Sequence, residues 1–185
     1  MGNFLGLLPW QRQYFEGIVT PIDISFEDQY SYIFYPEYNW VYNKLDLCHR
    51  TGIKAFPQGV EPKTSDYPIF SKPIINLYGM STGARRYNKW KIEDYIPGHF
   101  WMPYLYGEHL SSDFAIINGD VKWCYFIRGI KGKNDVFLYW EILPDVSHRT
   151  YTKLIWFIED YFKGYTGFLN FETIGDNIIE CHLRP

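Results

Sequence analysis

The stretch that most limits what this chain can fold into is its end, Gly167-Phe-Leu-Asn-Phe-Glu-Thr-Ile-Gly-Asp-Asn-Ile-Ile-Glu-Cys-His-Leu-Arg-Pro185. Two short runs, Phe168 to Thr173 and Asn177 to Leu183, flank the turn residues Ile174-Gly175-Asp176, which is the pattern of a β-hairpin. Successive side chains on a strand point to opposite faces. Asn170 and Glu172 therefore share a face of the first strand, and Ile178, Glu180 and His182 a face of the second. Pairing the strands brings Glu172 and Glu180 together, with Asn170, His182 and Arg184 nearby. Facing carboxylates repel, so a ladder that carries them needs a cation between them. Oxygen donors without competing thiols suit Mg²⁺ or Mn²⁺. A solvated hairpin whose glutamates each point into water is the other reading of the same residues.

A chain of 185 residues is the size of one domain and can bury a sizeable core. Aromatic residues make up 21% of it, which excludes disorder and also suits a sugar-stacking or interaction surface. The net charge of −3 gives no broad footprint for nucleic acid, and the run Arg85-Arg86-Tyr87-Asn88-Lys89-Trp90-Lys91 is a local exception. Cys48, Cys124 and Cys181 are scattered, without a CxxC spacing, so neither a disulfide framework nor a zinc site is expected. A reducing, cytoplasmic setting follows. The start of the chain lacks the basic region of a signal peptide, Gly6 stands where a myristoylation signal has Ser or Thr, and no run is long enough to span a membrane.

Along the chain, strands are expected at Ile22 to Phe26 and Tyr30 to Tyr35, and a helix from Trp40 to Thr51 that Gly52 ends. Tyr67 to Pro73 reads as a strand with Lys72 at its end. After it, Asn76 to Ala84 supplies Gly79 and Gly83 with Ser81 and Thr82 between them. Such a loop presents backbone N–H groups to phosphate oxygens, with a lysine upstream as a point charge; a plain surface turn accounts for it equally. Lys89 to Tyr95 reads as a short helix, His99 to Tyr106 as extended, and Asn118-Gly119-Asp120 as a hairpin turn before a return strand, Val121 to Gly129. Val136 to Ile142 is a further strand. The last helix has Ser147 as N-cap, apolar Tyr151, Leu154, Ile155, Ile158 and Phe162 as its core stripe, and Gly164 as its stop. Taken singly, Lys44, His109, Arg128 and Lys131 read as ordinary surface or hairpin residues.

In this order the landmarks resemble the ATP-grasp superfamily, over Lys44 to Arg184. They are Lys44 on an early helix, Lys72 before Pro73, the Gly79 to Gly83 loop, Glu108-His109 after an aromatic linker, and Glu172 followed by Glu180-Cys-His-Leu-Arg184. The resemblance implies an α+β fold of two subdomains, each with an antiparallel sheet, that enclose a nucleotide site. Residues 44–185 would be the ATP-grasp domain, and the aromatic-rich residues 1–43 a remnant or replacement of the usual preceding domain. It implies ATP held by Lys44, Lys72, Gly79, Ser81, Thr82 and Gly83 at the phosphates, and by Tyr104, Leu105, Glu108 and His109 at the base and ribose. Mg²⁺ would sit on Glu172, Glu180 and His182, His182 standing where the family has Asn. Arg184 and Arg128 would act at the transferring phosphoryl group. The implied reaction is ligation of a small-molecule or peptide carboxylate to an amine or thiol through an acyl phosphate. A second subunit or partner would supply the acceptor-binding part. A catalytically degenerate nucleotide-binding or assembly protein of phage or viral type, and an aromatic-rich binding module for carbohydrate or peptide, remain the other classes.

Overall fold

The computed structural model describes residues 2–78, 82–132 and 137–185. In chain order it places β1 (Phe4–Leu5), β2 (Ile24–Ser25), α1 (Asp28–Phe34), α2 (Lys44–Arg50), β3 (Phe56–Pro57), β4 (Ile69–Pro73), β5 (Arg85–Tyr87) and β6 (His99–Pro103). Then follow β7 (His109–Ile117), β8 (Asp120–Lys131), β9 (Phe137–Leu143), α3 (His148–Tyr161), β10 (Gly167–Ile174) and β11 (Asn177–His182). Short 3-10 turns lie between them. Two antiparallel sheets dominate, one in the order β3-β6-β4-β5 and one in the order β11-β10-β7-β8-β9. The expected α+β class with two antiparallel sheets is what the chain adopts.

The larger sheet is built from consecutive hairpins. Asn118 and Gly119 both have positive φ, +52° and +84°, the paired left-handed conformations that match the right-handed twist of the flanking strands. Leu110, Ser112, Phe114 and Ile116 alternate onto the buried face of β7. Phe114 and Ile116 meet Leu154, Phe157 and Ile158 of α3, Phe126, and Leu169 and Phe171 of β10 in the main core. Ser147 caps α3 by accepting the Thr150 N–H at 3.1 Å, as expected. Phe157, however, joins the buried stripe, while Tyr151, expected in it, is 40% exposed and edge-on to Phe126.

A second core, of Cys48, Ile53, Ala55, Phe100, Met102 and Ile179, lies against the smaller sheet. Two elements tie it to the first. Neighbours Leu47 and Cys48 of α2 enter different cores, as do Ile178 and Ile179 of β11.

Three local expectations are corrected. The expected strand Tyr30 to Tyr35 is instead helical through Phe34, within α1, with Tyr35 as its C-cap: Asp28 and Ser31, three residues apart, are both buried, so the inward stripe is polar and escapes hydrophobic periodicity. The Ser31 hydroxyl donates to the Leu183 carbonyl at 3.0 Å. The helix expected from Trp40 is broken at Asn43. A 3-10 turn ends at Tyr42, and the Asn43 side chain caps α2 by accepting the Asp46 N–H at 3.0 Å. Lys89 to Tyr95 contains only a 3-10 turn at Ile92–Asp94, where the Asp94 carboxylate takes the Lys91 N–H at 2.9 Å.

Candidate functional site

A cavity of about 700 Å³ opens between the two sheets, reached from both by the linker that follows β6. Four elements bring charge to its centre. The N-cap at Asn43 starts α2 at Lys44, so this lysine occupies the first helical turn and points inward, 5% exposed. Lys72 is the penultimate residue of β4 and is 4% exposed. Glu172 and Glu180 face one another across β10 and β11, the register the hairpin pattern predicts.

The hairpin departs from strict alternation at one point. Glu172 pairs with Glu180 but Thr173 pairs with Ile178, so Ile179 is an extra residue in β11. This bulge re-aims the strand. Ile179 and Glu180 both line the cavity, while Ile178 drops into the main core with Cys181 and Leu183. The expectation that Ile178 shares a face with Glu180 and His182 is therefore overturned. Period-two reasoning fails across an inserted residue.

Glu180 is the hub. Its Oε1 lies 2.6 Å from Lys44 Nζ and 3.2 Å from Lys72 Nζ, and Lys72 also donates to the Ile179 carbonyl at 3.0 Å. Burial alone would push the Glu180 carboxyl up, but Lys72 and Lys44 outweigh it and hold the group far below the ordinary carboxylate range. Burial lowers the Lys44 ammonium, Glu180 opposes that change, and the neighbouring Lys72 adds to it. Glu172 accepts from His109 Nε2 at 3.1 Å; burial raises its carboxyl, but this hydrogen bond together with the neighbouring imidazoles of His182 and His109 leaves it lowered.

Of the remaining expected residues, Thr82, Tyr104, Leu105, Glu108, His109 and Arg128 all line the cavity. Arg128 is clamped between Glu108 and Glu141, with Glu141 Oε2 at 2.7 Å. Gly83 has φ +81° and packs beside His99 and Pro73, and Gly79 and Ser81 lie outside the described residues. His182 stands directly behind Glu180, its Nε2 3.6 Å from Glu180 Oε2. Ligand atoms of Glu172, Glu180 and His182 all fall within 4.8 Å of one another.

Arg184 is held elsewhere: its guanidinium donates to Asp28 at 2.8 Å and 3.2 Å, and it is not among the described residues that line the cavity. The sequence reading found no chemistry before residue 40, and it missed Asp28. That carboxylate, 3% exposed, receives His182, Arg184 and the Tyr42 hydroxyl. Burial raises its carboxyl, but the His182 hydrogen bond and the Arg184 guanidinium bring it below the usual value. Arg85 and Arg86, noted only as part of a basic run, also line the cavity.

Six basic side chains, Lys44, Lys72, Arg85, Arg86, Arg128 and Lys131, thus surround three carboxylates, Glu108, Glu172 and Glu180. The chain carries net negative charge, yet this cavity is basic. Apolar Phe70, Met102, Leu105, Ile174 and Ile179 complete it on the linker side. Such a lining offers both apolar contact and anion-binding charge.

Solved structures share this architecture. An L-amino acid ligase from Bacillus licheniformis matches with a TM-score of 0.62 and 14% identity, over 94% of this chain and 51% of that one. A putative ATP-grasp superfamily protein from Archaeoglobus fulgidus matches with a TM-score of 0.56 and 17% identity, over 78% and 46%. D-alanine–D-alanine ligase from Bacillus anthracis, complexed with ATP, matches with a TM-score of 0.52 and 10% identity, over 100% and 85%. No family model and no curated protein sequence matches. The chain has the ATP-grasp fold. It spans about half the length of the first two of these proteins.

Proposed function

We propose that the cavity binds ATP with a divalent metal, and that the chain is the nucleotide-binding part of an ATP-dependent ligase that activates a carboxylate as an acyl phosphate. The observation that carries this reading is the convergence of two buried lysines, from α2 and β4, on Glu180, which faces Glu172 across the hairpin, inside a basic cavity between the sheets. A buried ammonium pair is costly unless anions hold it. Glu180 brings one negative charge against these two cations, and a polyphosphate would supply the further negative charge. Lys44 and Lys72 would bind phosphate oxygens by charge-assisted hydrogen bonds. Arg85, Arg86 and Lys131 add basic charge around them, Glu108 stands at the ribose, and Tyr104 and Leu105 flank the base.

The donor set fits a metal. Two carboxylates at Glu172 and Glu180 offer hard oxygen ligands, and a ring nitrogen stands behind them. When bound, Mg²⁺ or Mn²⁺ would neutralise charge between the terminal phosphates. The protein's own contribution is positioning and electrostatic stabilisation of phosphoryl transfer, with little covalent work. The acceptor part is proposed to come from a second subunit or partner. A cytoplasmic location belongs to the same reading.

A second reading, nucleotide binding without ligation, draws on Arg184. A residue expected at the transferring group is instead engaged by Asp28. The two readings separate in one assay: the chain is incubated with Mg-ATP and a panel of amino acids whose carboxyl groups carry ¹⁸O. Ligation through an acyl phosphate moves one labelled oxygen into the released phosphate. ATP binding with no acceptor-dependent ADP favours the second reading.

A further inference from the structure

Asp28, which the nucleotide reading does not use, is paired with His182, the nitrogen donor behind the two glutamates. His182 is 4% exposed and lies on β11 two residues past Glu180. Its Nδ1 sits 3.1 Å from both carboxylate oxygens of Asp28, itself 3% exposed. Asp28 is further fixed by Arg184 at 2.8 Å and by the Tyr42 hydroxyl at 3.2 Å. An ionised carboxylate only accepts, so the proton of the neutral ring is on Nδ1. The ring therefore turns a lone pair on Nε2 toward Glu180.

Glu180 divides its two oxygens. Oε1 takes both lysines, and Oε2 faces His182 Nε2 at 3.6 Å, beyond hydrogen-bond reach. Two electron-rich atoms at that separation leave room for a shared cation. Glu172 completes three ligand atoms within 4.8 Å of one another. A carboxylate that orients a ligating imidazole through its other nitrogen is a recurrent arrangement, and it also raises the ligand's basicity.

We propose that Asp28 and His182 make the Glu172–Glu180 pair a site that prefers Mn²⁺ to Mg²⁺, with Asp28 as the positioning residue that directs His182 Nε2 at the ion. This rests on the reading of Glu172 and Glu180 as the metal-holding pair. An imidazole nitrogen suits Mn²⁺ far better than Mg²⁺, which takes oxygen ligands and gives up water reluctantly. An amide oxygen at position 182 would remove the discrimination.

The test uses the whole chain, labelled with ¹⁵N-histidine, and Mn²⁺ with and without a non-hydrolysable ATP analogue. Electron spin-echo modulation of bound Mn²⁺ should show a directly ligated ¹⁵N nucleus in the parent. The coupling should persist in His109→Gln and vanish in His182→Asn. By equilibrium titration, His182→Asn should cut the ratio of Mn²⁺ to Mg²⁺ affinity about tenfold, and Asp28→Asn should weaken Mn²⁺ between about tenfold and a hundredfold. Bound Mn²⁺ without histidine nitrogen coupling in the parent overturns the proposal, whether or not the variants fold. So does absence of Mn²⁺ binding. Analogue binding without that coupling sinks this inference alone. The coupling without analogue binding sinks the nucleotide reading and leaves the metal site standing.

Discussion

Lys44, Lys72 and Glu180 depend on one another, and each alone would be an unstable choice for a buried position. Removing one lysine leaves Glu180 with the other, so the fold should survive while phosphate binding suffers. A hydrogen bond to a charged group contributes about 1.5–3 kcal/mol. Lys72→Met is therefore expected to weaken binding of an ATP analogue tenfold or more in titration, with a urea midpoint near that of the parent. Asp28→Ala should behave oppositely. It strands His182 and Arg184 and should cost about 3–5 kcal/mol in urea unfolding. The carboxyls of Asp28, Glu172 and Glu180 are all lowered in the fold. In the unfolded chain they protonate near pH 4, so as pH falls the unfolded state takes up protons first. The stability they contribute is intact above about pH 5 and is lost as pH drops through their lowered values. A urea midpoint that stays level down to pH 3 would contradict this. At this scale the sequence exposed Lys44, Lys72, Glu108, His109, Glu172 and Glu180, because their residue types in that order are distinctive. Asp28 was hidden because one acidic residue in an aromatic segment carries no pattern of its own.

Elements decide where those side chains point. Asn43 sets the start of α2 and so the place of Lys44, and Asn43→Ala should cost about 1 kcal/mol and loosen the lysine along with the helix. The linker after β6 rests on the hairpin turn of β10 and β11. Gly107 has φ +138°, and a Cβ there would lie 2.8 Å from backbone atoms of Gly175, whose N–H donates to the Glu108 carbonyl at 2.9 Å. Gly107→Ala should thus cost about 1–3 kcal/mol. It should also reduce analogue affinity, because Tyr104, Leu105 and Glu108 move with the linker. Strands with alternating apolar residues, and α3 with its apolar stripe, were legible from periodicity. The helix α1 was not, since its buried positions are Asp28 and Ser31, and the bulge at Ile179 was not, since two adjacent isoleucines look the same whether or not a residue is inserted.

At the scale of the molecule, two antiparallel sheets with separate cores share α2 and β11, and the basic cavity lies between them. The fold class was legible because strand signals recur with hairpin turns between them. The basic character of the cavity was not, because Arg85 and Arg86 lie on β5 of one sheet and Arg128 and Lys131 on β8 of the other, in a net-negative chain. A ligand that touches both sheets should stabilise the whole. At a hundredfold excess over its dissociation constant it adds about 2.7 kcal/mol, which for a chain of this size raises the melting temperature by roughly 5–10 °C.

The most direct test is a calorimetric titration of the chain with a non-hydrolysable ATP analogue, with and without divalent metal, repeated on Lys72→Met. The nucleotide reading predicts one site, tighter with metal, weakened at least tenfold by the substitution. No binding in the parent, or binding indifferent to both metal and Lys72, would contradict it.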